Sequence, residues 1–271
     1  MTDRGSVHRP ARRLTVAGGE ILDEIVAEEV AVALVYNGIS HAVMMATTAD
    51  LEDFARGFTL TERIVEKPSE IFDIEVEEGE RGIEVNLEIA APRMQSLQER
   101  RRSLAGRTGC GLCGVDSLEA AMRPVAVSAS GSRVARAAIE RAMTALPARQ
   151  RINKLNGATH AAGWADAEGS LIAVREDVGR HNALDKLAGA LALMDKNAPG
   201  SVAPGGFVVV TSRCSYEMVQ KAAAIGAAAI SAVSAPTSLA IETAERANIA
   251  LAAFVREGRL TAYAHAERIL P

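Results

Sequence analysis

The chain has 271 residues, 48% hydrophobic and 24% charged, an ordinary globular composition with length for one large domain or two modest ones. A formal net charge of −4 argues against general nucleic-acid binding, which needs a basic surface, although local basic patches are compatible with it. Three cysteines do not make a disulfide framework, so a reducing compartment, the cytoplasm, is the expectation; the longest apolar run, Ala222 to Ala235, is too short and too interrupted to span a membrane.

Met1 to Arg13 is basic and lacks the apolar core of a secretory signal, so residues 1–27 read as a flexible arm and lead-in. Glu28 to Thr48 reads as two strands around Asn37-Gly38, with Val30, Val32, Leu34 and Tyr36 on one face. Asp50 is placed to cap a helix from Leu51 to about Ile64, which carries Leu51, Phe54, Ala55 and Phe58 at helical spacing. Glu70 to Glu78 and Gly82 to Ala90 alternate apolar and charged residues as a second hairpin, and Met94 to Ala105 reads as a short basic helix.

Past Pro124 the elements become longer and more apolar, which divides the chain into an N-terminal α+β domain, 28–124, and a C-terminal α/β domain, 125–271. Ser132 to Leu146 reads as a helix, and Thr159 to Trp164 with Ser170 to Arg175 as a hairpin. A helix from Ala183 to Met194 follows. Strands Phe207 to Thr211, Ile230 to Val233 and Ala250 to Val255 then alternate with helices Tyr216 to Ala228 and Ser238 to Asn248, the pattern of parallel strands with crossover helices.

The chemistry concentrates in Arg107-Thr-Gly-Cys110-Gly-Leu-Cys113-Gly114, where two of the three cysteines sit among glycines. Gly109, Gly111 and Gly114 free the backbone, while Arg100, Arg101, Arg102 and Arg107 upstream and a capping box at Asp116 to Glu119 downstream favour thiolate over thiol. The loop is therefore expected to be mobile, with both sulfurs accessible and no metal bound. Structural zinc is the competing reading, but it wants four ligands and only Cys214 and scattered histidines remain.

Two further places could hold a ligand. The ends of the parallel strands, Thr211 to Ser215 and Ser231 to Pro236, suit a phosphate or nucleotide base at helix N-termini; alternatively their hydroxyls are only helix caps. Arg175-Glu-Asp-Val-Gly-Arg-His-Asn182 packs two Arg, Glu, Asp, His and Asn between a strand and a helix, as a fixed functional loop or a solvated one. His160 and His181 are candidate bases or donors, or satisfied partners.

Cys110-Gly-Leu-Cys113-Gly, Arg175-Glu-Asp-Val-Gly-Arg-His-Asn-Ala-Leu-Asp-Lys186 and Thr211-Ser-Arg-Cys-Ser-Tyr-Glu-Met-Val-Gln-Lys221 together resemble the formate dehydrogenase accessory sulfurtransferase family, over about Glu28 to Leu270. The resemblance implies a cytoplasmic homodimer whose C-terminal half has a cytidine-deaminase-like fold without the deaminase zinc. It also implies an activity. Persulfide sulfur passes from a cysteine desulfurase to the molybdenum or tungsten bis-guanine-dinucleotide cofactor that formate dehydrogenase requires, with no tightly held catalytic metal.

By the same resemblance Cys110 carries the persulfide and Cys113 assists, although electrostatics alone would rank Cys113, nearer the capping box, first. Ser231, Ala232, Val233, Ser234, Ala235 and Pro236 align with the family's cofactor-binding stretch, where Pro236 departs from the common small residue. A non-catalytic molybdenum-cofactor chaperone and a zinc-binding interaction module are the alternatives from other functional classes.

Overall fold

A computed structural model describes residues 4–16, 18–105, 127–128, 131–197 and 205–271. The N-terminal stretch that reads as a flexible arm is instead a ten-residue antiparallel hairpin, β1 (Ser6–Thr15) with β2 (Gly18–Ala27). The basic strand looks solvated when read alone. Its charges are met across the ribbon by the acidic strand, through Arg13 to Glu20 (3.1 Å) and Glu24 (3.0 Å) and His8 to Asp23 (2.8 Å).

The next unit is a four-stranded sheet in the order β4-β3-β6-β5, built from β3 (Val30–Tyr36), β4 (Ile39–Ala46), β5 (Ile71–Gly79) and β6 (Gly82–Ile89). Both expected hairpins form, and β3 and β6 join them in parallel. Helix α1 (Leu51–Thr61) lies between the hairpins in sequence and packs Leu51, Phe54, Ala55 and Phe58 onto Val32, Leu34, Val85 and Leu87. Met94 and Leu97 of α2 (Ala91–Ala105) join the same core. Asp50 occupies the cap position of α1 but makes no side-chain cap bond; it has left-handed backbone, φ 56°, and its carboxylate lies 3.6 Å from Arg175.

The second unit begins with β7 (Val134–Ala135), α3 (Arg136–Arg149) and α4 (Arg151–Asn156). Its six-stranded sheet has the order β13-β12-β11-β10-β8-β9. β8 (His160–Ala165) and β9 (Leu171–Asp177) are the expected hairpin. β10 (Phe207–Val210), β11 (Ala229–Ala232) and β12 (Ala250–Arg256) are parallel, and β13 (Arg259–Ala264) adds an antiparallel edge absent from the sequence reading. A terminal strand, β14 (Ile269–Leu270), pairs with β7.

Helices α5 (Arg180–Asn197), α6 (Tyr216–Ala224) and α7 (Ser238–Ala247) cover one face of this sheet, where Leu184, Leu187, Met218, Val219 and Ala244 meet Val208, Ile230 and Leu251. Helix α3 covers the other face, with Ile139, Ala142 and Leu146 against Val209 and Ala252. The result is a mixed α/β layered unit, as the strand and helix alternation requires. Helix α6 stops four residues earlier than its apolar pattern, because Gly226 takes left-handed backbone, φ 73°, and turns the chain into β11.

The two units meet where α1 crosses α5. A Cβ on Gly57 would overlap the Asp185 carbonyl, and one on Gly189 would overlap the Asp53 carbonyl, so the helices touch backbone to backbone at two points. Only glycine permits that approach. Gly57→Ala and Gly189→Ala are each expected to cost about 1–3 kcal/mol through overpacking, read as a lower urea midpoint with unchanged slope.

Candidate functional site at the carboxyl edge of the six-stranded sheet

Because β8 runs antiparallel between β9 and β10, the start of β8 shares one sheet edge with the carboxyl ends of β9, β10 and β11. Helices α5, α6 and α7 all begin at that edge, so backbone donors and their dipoles converge there. The loops after β10 and β11 are laced together. Cys214 N donates to Ala235 O (3.1 Å), Thr237 N to Cys214 O (3.0 Å) and Val233 N to Val210 O (3.1 Å). Thr211 to Ser215 and Ser231 to Pro236, separate in sequence, thus form one rim.

The hydroxyls of this rim have different uses. Thr237 caps α7 by accepting from Ala240 N (3.2 Å), and Thr211 Oγ1 accepts from Ala161 N (2.9 Å). Ser231 and Ala232 lie inside β11 without exposure, and the Ser231 hydroxyl has no partner among the described residues. Val233, Ser234, Ala235 and Pro236 are partly exposed and carry the surface of the loop. Cys214 is sealed in the core, and burial pushes its thiol up to about 12, which leaves it protonated and inert.

Phe254 is a rim residue the sequence reading missed. It sits at the irregular end of β12 with φ 53° and 37% exposure, and its N–H reaches Ser234 O at 3.4 Å. Left-handed backbone on an aromatic residue is costly and marks a place where the fold holds a side chain deliberately. No local pattern announces it; the residue falls within the register shift against β13 between Ala253 and Arg256.

The polar segment Arg175 to Asn182 divides into bracing and open parts. Arg175 donates to Asp53 Oδ2 through Nε (2.9 Å) and Nη2 (2.7 Å), and Glu176 accepts from Ile152 N (2.9 Å), Asn153 N (2.8 Å) and Thr159 Oγ1 (2.9 Å). Asp177 and Lys186 form a fully buried ion pair at 2.7 Å. Asp177 Oδ2 also accepts from Thr47 N and Oγ1, both 2.9 Å, while its Oδ1 accepts from Gly179 N (2.8 Å) and Asn182 Nδ2 (3.0 Å). Burial lowers the Lys186 pKa against the pull of Asp177.

Arg180 and His181 remain at the open edge. His181 Nε2 lies 2.9 Å from Glu217 Oε2 and 3.4 Å from Ser215 Oγ, and that hydrogen bond holds the Glu217 carboxyl below its ordinary range. Beside them His160 is pushed down by burial and by the Arg180 charge. A separate cleft of about 220 Å3, lined by Glu52, Arg56, Phe72 and Asp73 among others, reaches Ala192 on α5 and contains none of the candidate site residues.

Cys110 and Cys113 lie outside the described residues, as do Arg107, Gly109, Gly111 and Gly114, so the expectations for that loop fall there too. Among the described residues no group of three or more His, Cys, Asp or Glu is placed to hold a metal ion, and no helix is long and apolar enough to cross a membrane.

The FdhD/NarQ family profile matches residues 27–270. The chain belongs to the FdhD/NarQ family. Among its relatives, a Cupriavidus necator protein named sulfur carrier protein FdhD is 58% identical over 254 residues, covering 93% of this chain and 86% of that one. A Bordetella petrii protein of the same name is 50% identical over 255 residues, covering 94% and 90%. The crystal structure of a putative formate dehydrogenase accessory protein from Desulfotalea psychrophila aligns with a TM-score of 0.72 and 25% identity over 98% of this chain and 99% of that one. The motif resemblance read from the sequence therefore holds.

In this FdhD/NarQ chain the long Arg175 to Lys186 motif is mostly framework, and its charged residues hold the loop that presents Arg180 and His181. Lys186→Met leaves Asp177 buried without its cation and is expected to cost about 3–5 kcal/mol in urea unfolding. A loss below about 1 kcal/mol would mean that the Thr47, Gly179 and Asn182 donors suffice alone.

Proposed function

We propose that the protein is a sulfurtransferase that takes persulfide sulfur from a cysteine desulfurase onto Cys110, assisted by Cys113, and delivers it to the molybdenum or tungsten bis-guanine-dinucleotide cofactor of formate dehydrogenase. The two relatives named as sulfur carriers and the accessory-protein title of the solved neighbour support this reading. The observation that carries it is the burial of Cys214, whose thiol is held protonated, so sulfur chemistry falls to the Cys-x-x-Cys pair.

The cofactor is the substrate. Val233 to Pro236 and Phe254 would offer its guanine end a small-residue loop and an aromatic ring beside exposed backbone, while helix N-termini suit its phosphates. The mixed sheet with α5 to α7 on one face and α3 on the other fits a cytidine-deaminase-like layering. A cytoplasmic homodimer completes the proposal.

Incubation with a cysteine desulfurase and cysteine, followed by mass spectrometry, is expected to add about 32 Da per transferred sulfur to the wild type and to Cys214→Ala. Cys110→Ala should gain nothing and keep its melting temperature, and Cys113→Ala should gain less. Loading of Cys110→Ala with failure of Cys113→Ala would reverse the two roles, and loading lost only in Cys214→Ala would overturn the reading.

A further inference from the structure

We infer that each copy of this chain lays the tip of its β1–β2 ribbon on the outer face of a second copy's four-stranded sheet, apolar side chains to apolar side chains and arginine to carboxylate. The inference rests on the homodimer of the proposed function and names the two surfaces that would make it.

Two paired ten-residue strands make a ribbon about 33 Å long, and a two-stranded ribbon standing alone is marginal in water. This one is tied down at its base, where Asn156 Nδ2 donates to Ser6 Oγ (3.0 Å) and Glu28 N to Gly5 O (2.9 Å). Toward the turn it is bare. Leu14 is 73% exposed and Ile21 84%, and the pairing of Arg12 with Ile21 and of Leu14 with Gly19 sets Arg12, Leu14 and Ile21 on one face. Arg13 and His8 are met by acids of β2, but Arg12 makes no ion pair among the described residues, and Arg9 reaches only the His8 carbonyl. The tip thus offers apolar side chains together with unspent positive charge.

The four-stranded sheet gives one face to α1, and its other face is divided lengthwise. On β3 and β4, Ala31 lies opposite Met45 and Ala33 opposite Val43, with Met45 (51%) and Val43 (61%) left exposed. Ala33 in turn pairs with Glu84 of β6, where the acidic half begins. There Glu84 lies opposite Glu77 and Glu88 opposite Asp73, with Glu75 between the two pairs. None of these carboxylates has an ion pair among the described residues. Like charges directly opposite each other destabilise a sheet, and an arriving guanidinium removes that cost.

Each surface lacks what the other carries. A face half apolar and half acidic matches a tip that sets Leu14 and Ile21 beside Arg12. Both surfaces belong to the same chain, so one two-fold axis satisfies two ribbons and two sheets at once and leaves nothing open for a third copy. The contact also covers the exposed side chains of β4, an edge strand of its sheet.

The test is sedimentation equilibrium of the full chain, with urea melts as the folding control. It compares the wild type with a tip variant (Leu14→Glu with Ile21→Glu), a sheet variant (Val43→Glu with Met45→Glu) and Arg12→Glu. The wild type is expected to dimerise, the tip and sheet variants each to weaken the dimer by about tenfold or more, and Arg12→Glu to weaken it severalfold at low salt and less at high salt. An equimolar mixture of tip and sheet variants should regain a dimer that neither forms alone, because one of its two contacts joins an intact tip to an intact sheet. A monomeric wild type overturns both this inference and the homodimer reading. A wild-type dimer that the folded tip or sheet variant leaves equally tight overturns the docking and leaves the homodimer standing. A mixture no tighter than its components overturns the pairing of these two surfaces.

Discussion

The structure turns on one buried ion pair, Lys186 with Asp177, neither of which has any exposed side chain. Charges taken out of water are expensive unless every donor and acceptor is met. Here the carboxylate receives five donors in all, from Lys186, twice from Thr47, from Gly179 and from Asn182, and the ammonium also donates to the Thr47 carbonyl and hydroxyl. Thr47 follows β4 of the first sheet, whereas Asp177 ends β9 of the second. Satisfying the charges therefore docks the two units and sets the loop that follows Asp177.

A second buried pair lies one residue earlier on the same helix. Asp185 accepts from Lys221 (2.8 Å) and from Thr61 (2.6 Å), and Lys221 also reaches Glu62 (2.9 Å) and sits over the Phe58 ring. Burial raises the Asp185 pKa; burial also works against the Lys221 charge, but Asp185 and Glu62 outweigh it and raise that pKa as well. Through these contacts α1, α5 and α6 form one block, with the glycine crossing at its centre. The open edge is carried on that rigid block, which is what precise ligand placement requires.

This arrangement divides the labour of the motifs. The charged residues that make the family motif conspicuous are largely consumed in holding the two units together, and among the described residues those left at the open edge are few: Arg180, the His181–Glu217 pair, the loop ending at Pro236 and Phe254. Cys214, the one cysteine among the described residues, lies in the core beside this edge, and burial raises its thiol pKa.

Much of this was legible in the residue order. Strand alternation and turn pairs gave both hairpins of the first sheet and the strand and helix succession of the second, because those signals are local and repeat at the spacing of the backbone. The motifs carried the family. Other features depended on partners distant in sequence. The basic first strand became ordered only through an acidic strand whose facing register no window displays, and Asp50 lost its capping role to Arg175, 125 positions on. Whether Asp177 is a reactant or a brace, and whether Cys214 is reactive or sealed, depended on what surrounds them. Composition and spacing could nominate such groups, but burial and hydrogen-bond partners, which set their charge and reach, exist only once the chain has folded.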